Sequence, residues 1–361
     1  MRFFDFFSGI GGFRLGMEMA GHTCVGHCEV DKFADRAYRA MHNVKESEWY
    51  ANDITRVEPE ELPEADCYCF GFPCQAFSIA GKRRGFEDTR GTLFFEVMRL
   101  ARERKPCLLF AENVRGLLSH EGGQTFGVIV STMDELGYDV EWQVLNSKHF
   151  GVPQNRERVF IVGHLRGTGG RKIFPVRCDN GVPDPKRLET EPGVPALTAT
   201  SYKGVSKSRG GLAIPVMTPD RPNKRQNGRR FKENGDEMFT LTAQDRRGVM
   251  VREATCKQVI GGSQGNRVYD PSGISATLSS QGGVHNEAPT LTGNSWQQNN
   301  FATDGMRIRR LTPRECFRLQ GFPDKYFDRA AAVNSDSQLY KQAGNSVTVN
   351  VIYEIAKRLE A

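Results

Sequence analysis

The first residues with clear chemical potential form one short stretch, Gly71-Phe72-Pro73-Cys74-Gln75. It follows an apolar run at residues 66–70 that is typical of a buried strand. Pro73 lacks the N–H that a sheet ladder needs, so we expect the strand to end there and to leave the Cys74 thiol beyond it. Parallel α/β sheets bind ligands just beyond their strand ends, which makes Cys74 a candidate reactive group. The alternative is that Cys74 is a buried and inert cysteine, one of nine in the chain.

A carboxylate ends the next apolar run. Glu112 follows residues 107–111, which we predict to be the strand after the thiol strand. Because parallel strands end at one edge of a sheet, we expect Glu112 and Cys74 in the same cleft. Alternatively, Glu112 is an ordinary exposed acid at a strand end.

The start of the chain has the order strand, glycine turn and helix. An apolar run at residues 2–7 precedes Ser8-Gly9-Ile10-Gly11-Gly12, and a helical pattern covers residues 13–20. Glu29 ends a second predicted strand and lies 20 residues after Gly9. Nucleotide-binding α/β folds place glycines at such a turn, and a carboxylate on ribose hydroxyls at this distance.

Predicted helices and strands then alternate through residue 164. The helical patterns cover residues 31–42, 92–104 and 125–136, and the strand patterns cover residues 107–111, 138–145 and 159–163. This alternation predicts an α/β fold with a doubly wound, mostly parallel sheet.

The composition changes at about residue 166. Residues 166–305 hold 20 basic and 13 acidic residues, although the net charge of the whole chain is only +6. We therefore predict a second, smaller, β-rich domain whose positive charge faces a polyanion. There are two alternatives: the positive charge of this region only confers solubility, or the region is disordered. A loose repeat of leucine and threonine, without the fixed spacing of a solenoid, covers residues 195–199, 239–243, 275–279 and 289–293.

Helical signals return near the end of the chain. Thr312, Pro313 and Glu315 have the spacing of a capping box, and Gly321 is expected to end the helix that they begin. Gly344-Asn345-Ser346 is expected to cap a last helix at residues 347–359.

Several classes of protein are disfavoured. No apolar run is long enough to span a membrane, and the N-terminus lacks the pattern of a signal peptide, so we expect a cytoplasmic protein. Irregular cysteine spacing suits a reducing compartment. His22, Cys24, His27 and Cys28 alternate faces along one predicted strand and cannot converge, so we predict no metal site.

The ordered motifs resemble those of the bacterial and phage DNA (cytosine-5)-methyltransferases. The resemblance covers residues 1–165 and 306–361, and residues 166–305 correspond by position to the variable target-recognition domain of that family. The matching stretches are Asp5-Phe6-Phe7-Ser8-Gly9-Ile10-Gly11-Gly12, Gly71-Phe72-Pro73-Cys74-Gln75, Glu112-Asn113-Val114, Gln154-Asn155-Arg156-Glu157-Arg158, Arg310-Leu311-Thr312-Pro313-Arg314-Glu315 and Gly344-Asn345-Ser346-Val347. We accordingly expect a Rossmann-like catalytic and cofactor-binding domain at residues 1–165 plus 328–361, and a target-recognition domain with its hinge at residues 166–327.

The resemblance implies that the cofactor is S-adenosylmethionine. The amino-acid end of that cofactor is expected at the glycine turn, the ribose at Glu29, and the adenine at Asp53 and Ile54, with the pocket closed by residues 345–347. The family often has an aromatic residue directly after the ribose acid, where this chain has Val30. The full predicted set is Phe7, Ser8, Gly9, Gly11, Glu29, Val30, Asp53, Ile54, Asn345, Ser346 and Val347.

The same resemblance assigns chemical roles. Cys74 is expected to add to C6 of cytosine as a thiolate, because this addition makes C5 nucleophilic. Glu112 is expected at N3, and Arg156 and Arg158 at O2 or the nearby backbone, with Arg158 favoured for the catalytic contact. Alternatively, Arg158 is an ion-pair partner at the sheet edge. Because C6 is unreachable inside a duplex, the target cytosine must be rotated out.

Residues that contact DNA are expected in two places. The loop at residues 76–91 is a candidate lid over the site, and arginines of the basic region are candidates for reading guanine edges. The predicted set is Gln75, Ser78, Lys82, Arg83, Arg84, Arg225, Arg229, Arg230, Arg246 and Arg247.

Two other functions fit parts of the sequence. A tRNA cytosine-5-methyltransferase on the same fold is the nearest alternative, although the long basic insert favours duplex DNA. A DNA-binding repressor that has lost catalysis is disfavoured by the intact set of Cys74, Glu112 and Arg158, and a dehydrogenase with a catalytic cysteine is less favoured still. We expect a monomer that acts on double-stranded DNA, with a cognate restriction endonuclease as a partner if the enzyme belongs to a restriction–modification system.

Overall fold

The chain has a central sheet whose described strands all lie in its first 165 residues. The computed structural model describes residues 1–72, 93–169, 171–176, 213–216, 236–242, 247–252, 257–260, 268–270, 301–302 and 306–359. The sheet consists of β1 (Arg2–Phe6), β2 (Thr23–Cys28), β3 (Trp49–Ala51), β4 (Cys67–Gly71), β5 (Leu108–Val114), β6 (Tyr138–Asn146) and β7 (Glu157–Leu165). Their spatial order is β3-β2-β1-β4-β5-β7-β6.

Five neighbouring strands, β1 to β5, are parallel, and β7 pairs antiparallel with both β5 and β6. The connecting helices are α1 (Gly12–Met19), α2 (Lys32–His42), α3 (Leu93–Arg104) and α4 (Gln124–Glu135). The predicted α/β class with a mostly parallel sheet is therefore confirmed. The strand order reverses direction beside β1, as a doubly wound sheet requires.

Apolar cores lie on the two faces of this sheet because successive strand residues point to opposite sides. Phe4 and Phe6 belong to one core, together with side chains of α3 and α4. Phe3 belongs to the other, together with Phe13 of α1 and Ile352. Both faces are covered, which explains why the parallel strands are almost continuously apolar.

Four further helices follow residue 312: α5 (Pro313–Leu319), α6 (Asp324–Ala331), α7 (Asp336–Asn345) and α8 (Val349–Ala356). The start of α5 agrees with the predicted capping signals, and Gly321 has the positive φ of 84° that favours glycine after a helix. The last helix predicted at residues 347–359 occurs as α8, which begins two residues later, at Val349. Residues 346 and 348 before it are extended, so a break separates α7 from α8.

The chain divides into two compact units. The first is Met1–Val194, Thr240–Gln244 and Pro313–Ala361, and the second is Pro195–Phe239 and Asp245–Thr312. The domain limits expected from the sequence, at residues 165/166 and 327/328, differ from this division and remain predictions.

The described strands of the second unit are antiparallel. They are β8 (Ala213–Val216), β9 (Gly248–Arg252), β10 (Lys257–Ile260), β11 (Val268–Asp270), β12 (Phe301–Ala302) and β13 (Met306–Arg310). Four of them pair in the order β12-β13-β9-β8, and β10 pairs with β11. The expected β-rich character of this region is confirmed. Within the described parts of the chain, no helix has the length and apolar character needed to cross a bilayer.

We predict that Gly16→Ala destabilises the first unit, because α1 and α8 touch at Gly16. An added Cβ would lie 2.6 Å from the Cβ of Ile352 and 3.0 Å from the backbone nitrogen of Tyr353. Such overpacking lowers the free energy of unfolding by about 1–3 kcal/mol, which urea denaturation followed by circular dichroism measures.

The matched control is Gly127→Ala in the exposed first turn of α4, where an added Cβ would meet no atom within 4 Å. There the free energy of unfolding is expected to rise by about 0.4–1 kcal/mol, because alanine restricts the unfolded chain. Equal stabilities of the two variants would contradict this packing of α1 on α8.

Candidate active site

The carboxyl ends of three parallel strands meet at one edge of the sheet. Phe6 of β1 lies beside Phe70 of β4, and Gly71 of β4 lies beside Glu112 of β5. The glycine turn after β1 and the chain that leads from β4 toward Cys74 therefore start close to Glu112. Cys74 lies outside the described residues, so its position remains a prediction.

Asn113 fixes the chain just before Cys74. Its buried side chain donates from Nδ2 to the carbonyl of Phe72 at 2.8 Å, and its Oδ1 accepts from the backbone N–H of Val114 at 2.8 Å. Both ends of the amide are thus used to hold the end of β4 against β5. Asn113 directly follows Glu112 in one of the family-like stretches, but nothing in the sequence alone indicates this positioning role.

Glu112 and Arg158 form a buried ion pair at this edge. Nε of Arg158 lies 3.0 Å from Oε1 of Glu112, and the two side chains are only 16% and 10% exposed. Burial raises the pKa of Glu112 above its ordinary value, and the nearby guanidinium of Arg158 partly opposes this effect. The other carboxylate oxygen, Oε2, faces Gly71, where an added Cβ would lie 3.4 Å away. The pair thus places an acid with a raised pKa beside a cation at the end of β5, next to the end of β4, the strand that leads to Cys74.

Arg156 has a different environment from Arg158. Its guanidinium is buried and donates to the carbonyls of Leu241 at 2.9 Å, Ser346 at 2.7 Å and Gly344 at 3.3 Å. Burial and the neighbouring guanidinium of Arg158 lower the pKa of Arg156. Because both terminal nitrogens donate to main-chain carbonyls, this geometry does not support the predicted contact of Arg156 with the base. It supports a positioning role.

Glu29 holds the glycine turn. Its buried carboxylate accepts from the backbone N–H of Gly9 at 2.7 Å and from that of Asp31 at 2.8 Å. Gly9 and Gly11 have φ of 56° and 78°, which favours glycine at both positions, and Phe7 also has a positive φ of 55°. Each carboxylate oxygen has two lone pairs, so Glu29 retains acceptor capacity for a ligand hydroxyl.

The glycine turn also meets the chain that follows α7. An added Cβ on Gly12 would lie 2.9 Å from Oγ of Ser346 and 2.7 Å from Cγ2 of Val347. The structure therefore brings residues 346–347 to the start of α1, as the predicted pocket requires. Asn345, predicted at the same pocket, is exposed.

The predicted adenine residues lie at the neighbouring strand end. The backbone N–H of Glu29 donates to the carbonyl of Ala51 at 3.2 Å, which places the end of β3 beside Glu29. Asp53 accepts from the N–H of Thr55 at 3.0 Å and begins a short 3₁₀ helix in which Ile54 is buried. Val30 is 76% exposed.

Most predicted DNA contacts lie outside the described residues. These are Gln75, Ser78, Lys82, Arg83, Arg84, Arg225, Arg229, Arg230 and Arg246. Arg247 is described and its side chain is buried, 9% exposed, which argues against a role in reading base edges. In the described part of the chain, no three histidine, cysteine or acidic side chains cluster closely enough to hold a metal ion.

Comparison with known proteins agrees with this arrangement. The family model for C-5 cytosine-specific DNA methylases matches residues 1–361. The type II methyltransferase M.HhaI of Haemophilus parahaemolyticus is 36% identical, with 99% of this chain and 93% of the relative covered. M.HpaII of Haemophilus parainfluenzae is 35% identical, with coverage of 99% and 88%. The orphan methyltransferase M.SPRI of Bacillus phage SPR is 30% identical, with coverage of 99% and 97%.

Solved structures show the same fold at lower identity. The S. pombe Dnmt2 methyltransferase has a TM-score of 0.60 and 18% identity, with 99% of this chain and 97% of that chain covered. A putative DNA modification methyltransferase encoded within an E. coli prophage has a TM-score of 0.52 and 18% identity, with coverage of 99% and 98%. With the whole-chain family match, the resemblance expected from the motifs is confirmed, and the chain belongs to the C-5 cytosine-specific DNA methylases, which makes it a DNA (cytosine-5-)-methyltransferase.

Proposed function

We propose that the chain transfers a methyl group from S-adenosylmethionine to C5 of a cytosine rotated out of duplex DNA, through a covalent bond between Cys74 and C6. The observation that carries this proposal is the buried pair of Glu112 and Arg158, at 3.0 Å. The pair lies at the end of β5, and β5 adjoins the strand that leads to Cys74. A carboxyl with a raised pKa and a fixed cation are what an activated pyrimidine needs beside its nucleophile.

The residues of the glycine turn fit S-adenosylmethionine. An added Cβ on Gly9 would meet no atom within 4 Å, so the turn is open on that side. Oγ of Ser8 is buried and has no hydrogen-bond partner among the described residues, which suits a polar ligand. Glu29, with its remaining lone pairs, would hold the ribose hydroxyls, and Asp53 and Ile54 would contact the adenine. When bound, this cofactor supplies an electrophilic methyl group on a sulfonium.

The first chemical step is addition to the ring. The Cys74 thiolate forms a bond to C6, and the displaced electron pair moves toward N3, so C5 gains enamine character. Glu112, with a pKa raised by its burial, holds a proton for N3. Arg158 offsets negative charge at O2, because its guanidinium is already held beside Glu112, with Nε 3.0 Å from Oε1.

The remaining steps restore the aromatic ring. The cofactor, held at the glycine turn and by Glu29, would supply the methyl group that C5 takes up. The C5 proton then leaves to solvent and its electron pair forms the C5–C6 double bond, while the bond between C6 and Cys74 breaks and its electrons return to the sulfur as a thiolate. N3 returns its proton to Glu112, which restores the aromatic ring and the starting state of the enzyme. The thiolate must approach C6 from one face of the ring, and neighbouring bases cover both faces in a duplex. The cytosine therefore has to leave the duplex first.

Duplex DNA is the proposed substrate, because the positive excess of residues 166–305 suits a phosphate backbone. We propose that this region recognises the target sequence, and that residues 76–91 close over the rotated base. A monomer suffices, since one copy modifies each strand in turn. The protein is proposed to work in the cytoplasm, and the type II relatives favour a cognate restriction endonuclease acting on the same site.

We predict that Cys74→Ser abolishes methyl transfer and retains DNA binding, because a hydroxyl is a far weaker nucleophile at neutral pH. Duplexes that contain 5-fluorocytosine should trap the unmodified enzyme covalently, since the fluorine prevents the last elimination. Denaturing electrophoresis with labelled duplex detects the complex, and a parallel reaction with tRNA tests the alternative substrate.

The matched control is Cys107→Ser, one residue before β5, which is expected to keep both activity and trapping. A covalent complex formed equally well by Cys74→Ser would show that another residue is the nucleophile. Methyl transfer to tRNA in place of DNA would overturn the proposed substrate.

We predict that Glu112→Gln lowers kcat by about 10²–10⁴-fold, because an amide cannot exchange a proton with N3. The pKa of Glu112 is raised, so the unmodified enzyme should lose activity as the pH rises through that pKa and the carboxyl ionises. This alkaline limb of the pH profile of kcat should be absent in the variant.

Glu157→Gln is the matched control, because Glu157 is the neighbouring acid in β7 and its side chain is 41% exposed. Its pH profile should match that of the unmodified enzyme. If Glu112→Gln retained the full rate and the alkaline limb, Glu112 would not act at N3.

A further inference from the structure

One short stretch of the long insertion belongs to the catalytic unit. Thr240–Gln244 is part of the first unit, whereas Pro195–Phe239 before it and Asp245–Thr312 after it form the second. The chain of the second unit therefore returns to the first unit part-way along its length. This return gives the second unit additional covalent links to the first, beyond those at residues 194 and 313.

The returning stretch is held by main-chain hydrogen bonds. Oε1 of Gln154 accepts from the N–H of Leu241 at 3.0 Å, and Nη1 of Arg156 donates to the carbonyl of Leu241 at 2.9 Å. Oγ1 of Thr240 donates to the carbonyl of Asn155. The side chains of Gln154, Arg156 and Leu241 are all buried. We call residues 154–156, together with the main chain of residues 240–241 that they bind, the Leu241 clamp.

The clamp is continuous with the proposed active site. Nε2 of Gln154 donates to the carbonyl of Leu319 at 2.8 Å, at the end of α5. Nη2 of Arg156 donates to the carbonyl of Ser346, which precedes the pocket residue Val347. Arg158, the partner of Glu112, lies two residues after Arg156. The same two side chains that hold Leu241 thus also hold the chain beside the pocket.

We propose that Gln154 and Arg156 are positioning residues, which anchor the DNA-recognition region to the catalytic unit through the backbone of Leu241. The inference rests on the proposed function. Without this anchor, the second unit has to be ordered when DNA binds. The free-energy cost of that ordering weakens the binding of DNA. Loss of the clamp therefore raises the KM for DNA, while the chemistry at saturating DNA is retained.

The first unit itself holds a matched control for this anchor. Gln143 of β6 also holds a main-chain segment through its amide, because its Oε1 accepts from the N–H of Val176 at 2.8 Å and its Nε2 donates to the carbonyl of Val176 at 3.2 Å. Gln143 has no part in the clamp or in the proposed active site. Gln143→Met therefore removes the same kind of side-chain support as Gln154→Met, but at a different place in the same unit.

The test compares Gln154→Met with Gln143→Met, because methionine keeps the side-chain volume and removes the amide that holds the main chain. Gln154→Met should raise the KM for DNA by at least about tenfold, the effect of leaving one buried N–H, that of Leu241, unpaired. Its kcat and its affinity for S-adenosylmethionine without DNA should stay within about threefold of the unmodified enzyme. Gln143→Met should leave all three quantities within that range. Equal effects of the two variants on KM, or a lower kcat at unchanged KM, would overturn the inference.

A second variant keeps the test decisive if Gln154→Met folds poorly. Leu241→Pro removes the N–H that donates to Gln154, and it should also raise the KM for DNA. Combined with Gln154→Met, it should add less than threefold, because both changes remove the same hydrogen bond. Fully multiplicative effects would overturn the clamp. If the unmodified enzyme methylates no DNA, the proposed function fails; if it does and the two glutamine variants are alike, only this inference fails.

Discussion

The ion pair of Glu112 and Arg158 is the interaction on which the arrangement of the site depends. A buried carboxyl is costly unless a partner is fixed beside it, and here the partner comes from an antiparallel strand. Opposite Glu112 in β5 lies Phe160 of β7, and opposite Val114 lies Arg158, so the two charged residues are diagonal neighbours on one face of the sheet. The reversed direction of β7 is therefore what brings the guanidinium to the carboxyl end of the parallel strands. With β4 as the other neighbour of β5, the same edge receives the chain that leads to Cys74.

Much of the catalytic unit was predictable because its signals are local. Asp31 and the apolar period after it predict a helix at residues 31–42, and the helix occurs at Lys32–His42 with Asp31 accepting from the N–H groups of Phe33 and Ala34. The strand predicted at residues 138–145 occurs at Tyr138–Asn146, one residue longer than predicted. The link between the turn and Glu29 also follows from sequence spacing, since a fixed glycine-to-acid distance reflects one strand–helix–strand unit. In each case the deciding interactions lie within a few residues or within one repeating unit of the fold.

The features that sequence could not give depend on contacts between distant segments. The start of α8 at Val349, two residues later than predicted, is held by Thr348, whose hydroxyl bonds Gln320 and Ser147, and by the N–H of Val349, which donates to the carbonyl of Gln320. Arg156 and Arg158 look equivalent in the motif, yet carbonyls from three distant positions surround the first, and a carboxylate faces the second. The roles of Asn113 and Gln154 are hidden for the same reason. A motif thus indicates that its residues matter, but partners from elsewhere in the chain decide which of them contacts substrate.

Release of the C5 proton tests the central chemical claim most directly. The enzyme is incubated with S-adenosylmethionine and duplex DNA that carries tritium at C5 of cytosine, and the tritium set free in water is compared with the methyl groups incorporated. Addition of Cys74 at C6 and methyl transfer to C5 predict one tritium released for each methyl group transferred. Methyl transfer with the tritium retained would place the methyl group on another atom of the base and would contradict addition of Cys74 at C6.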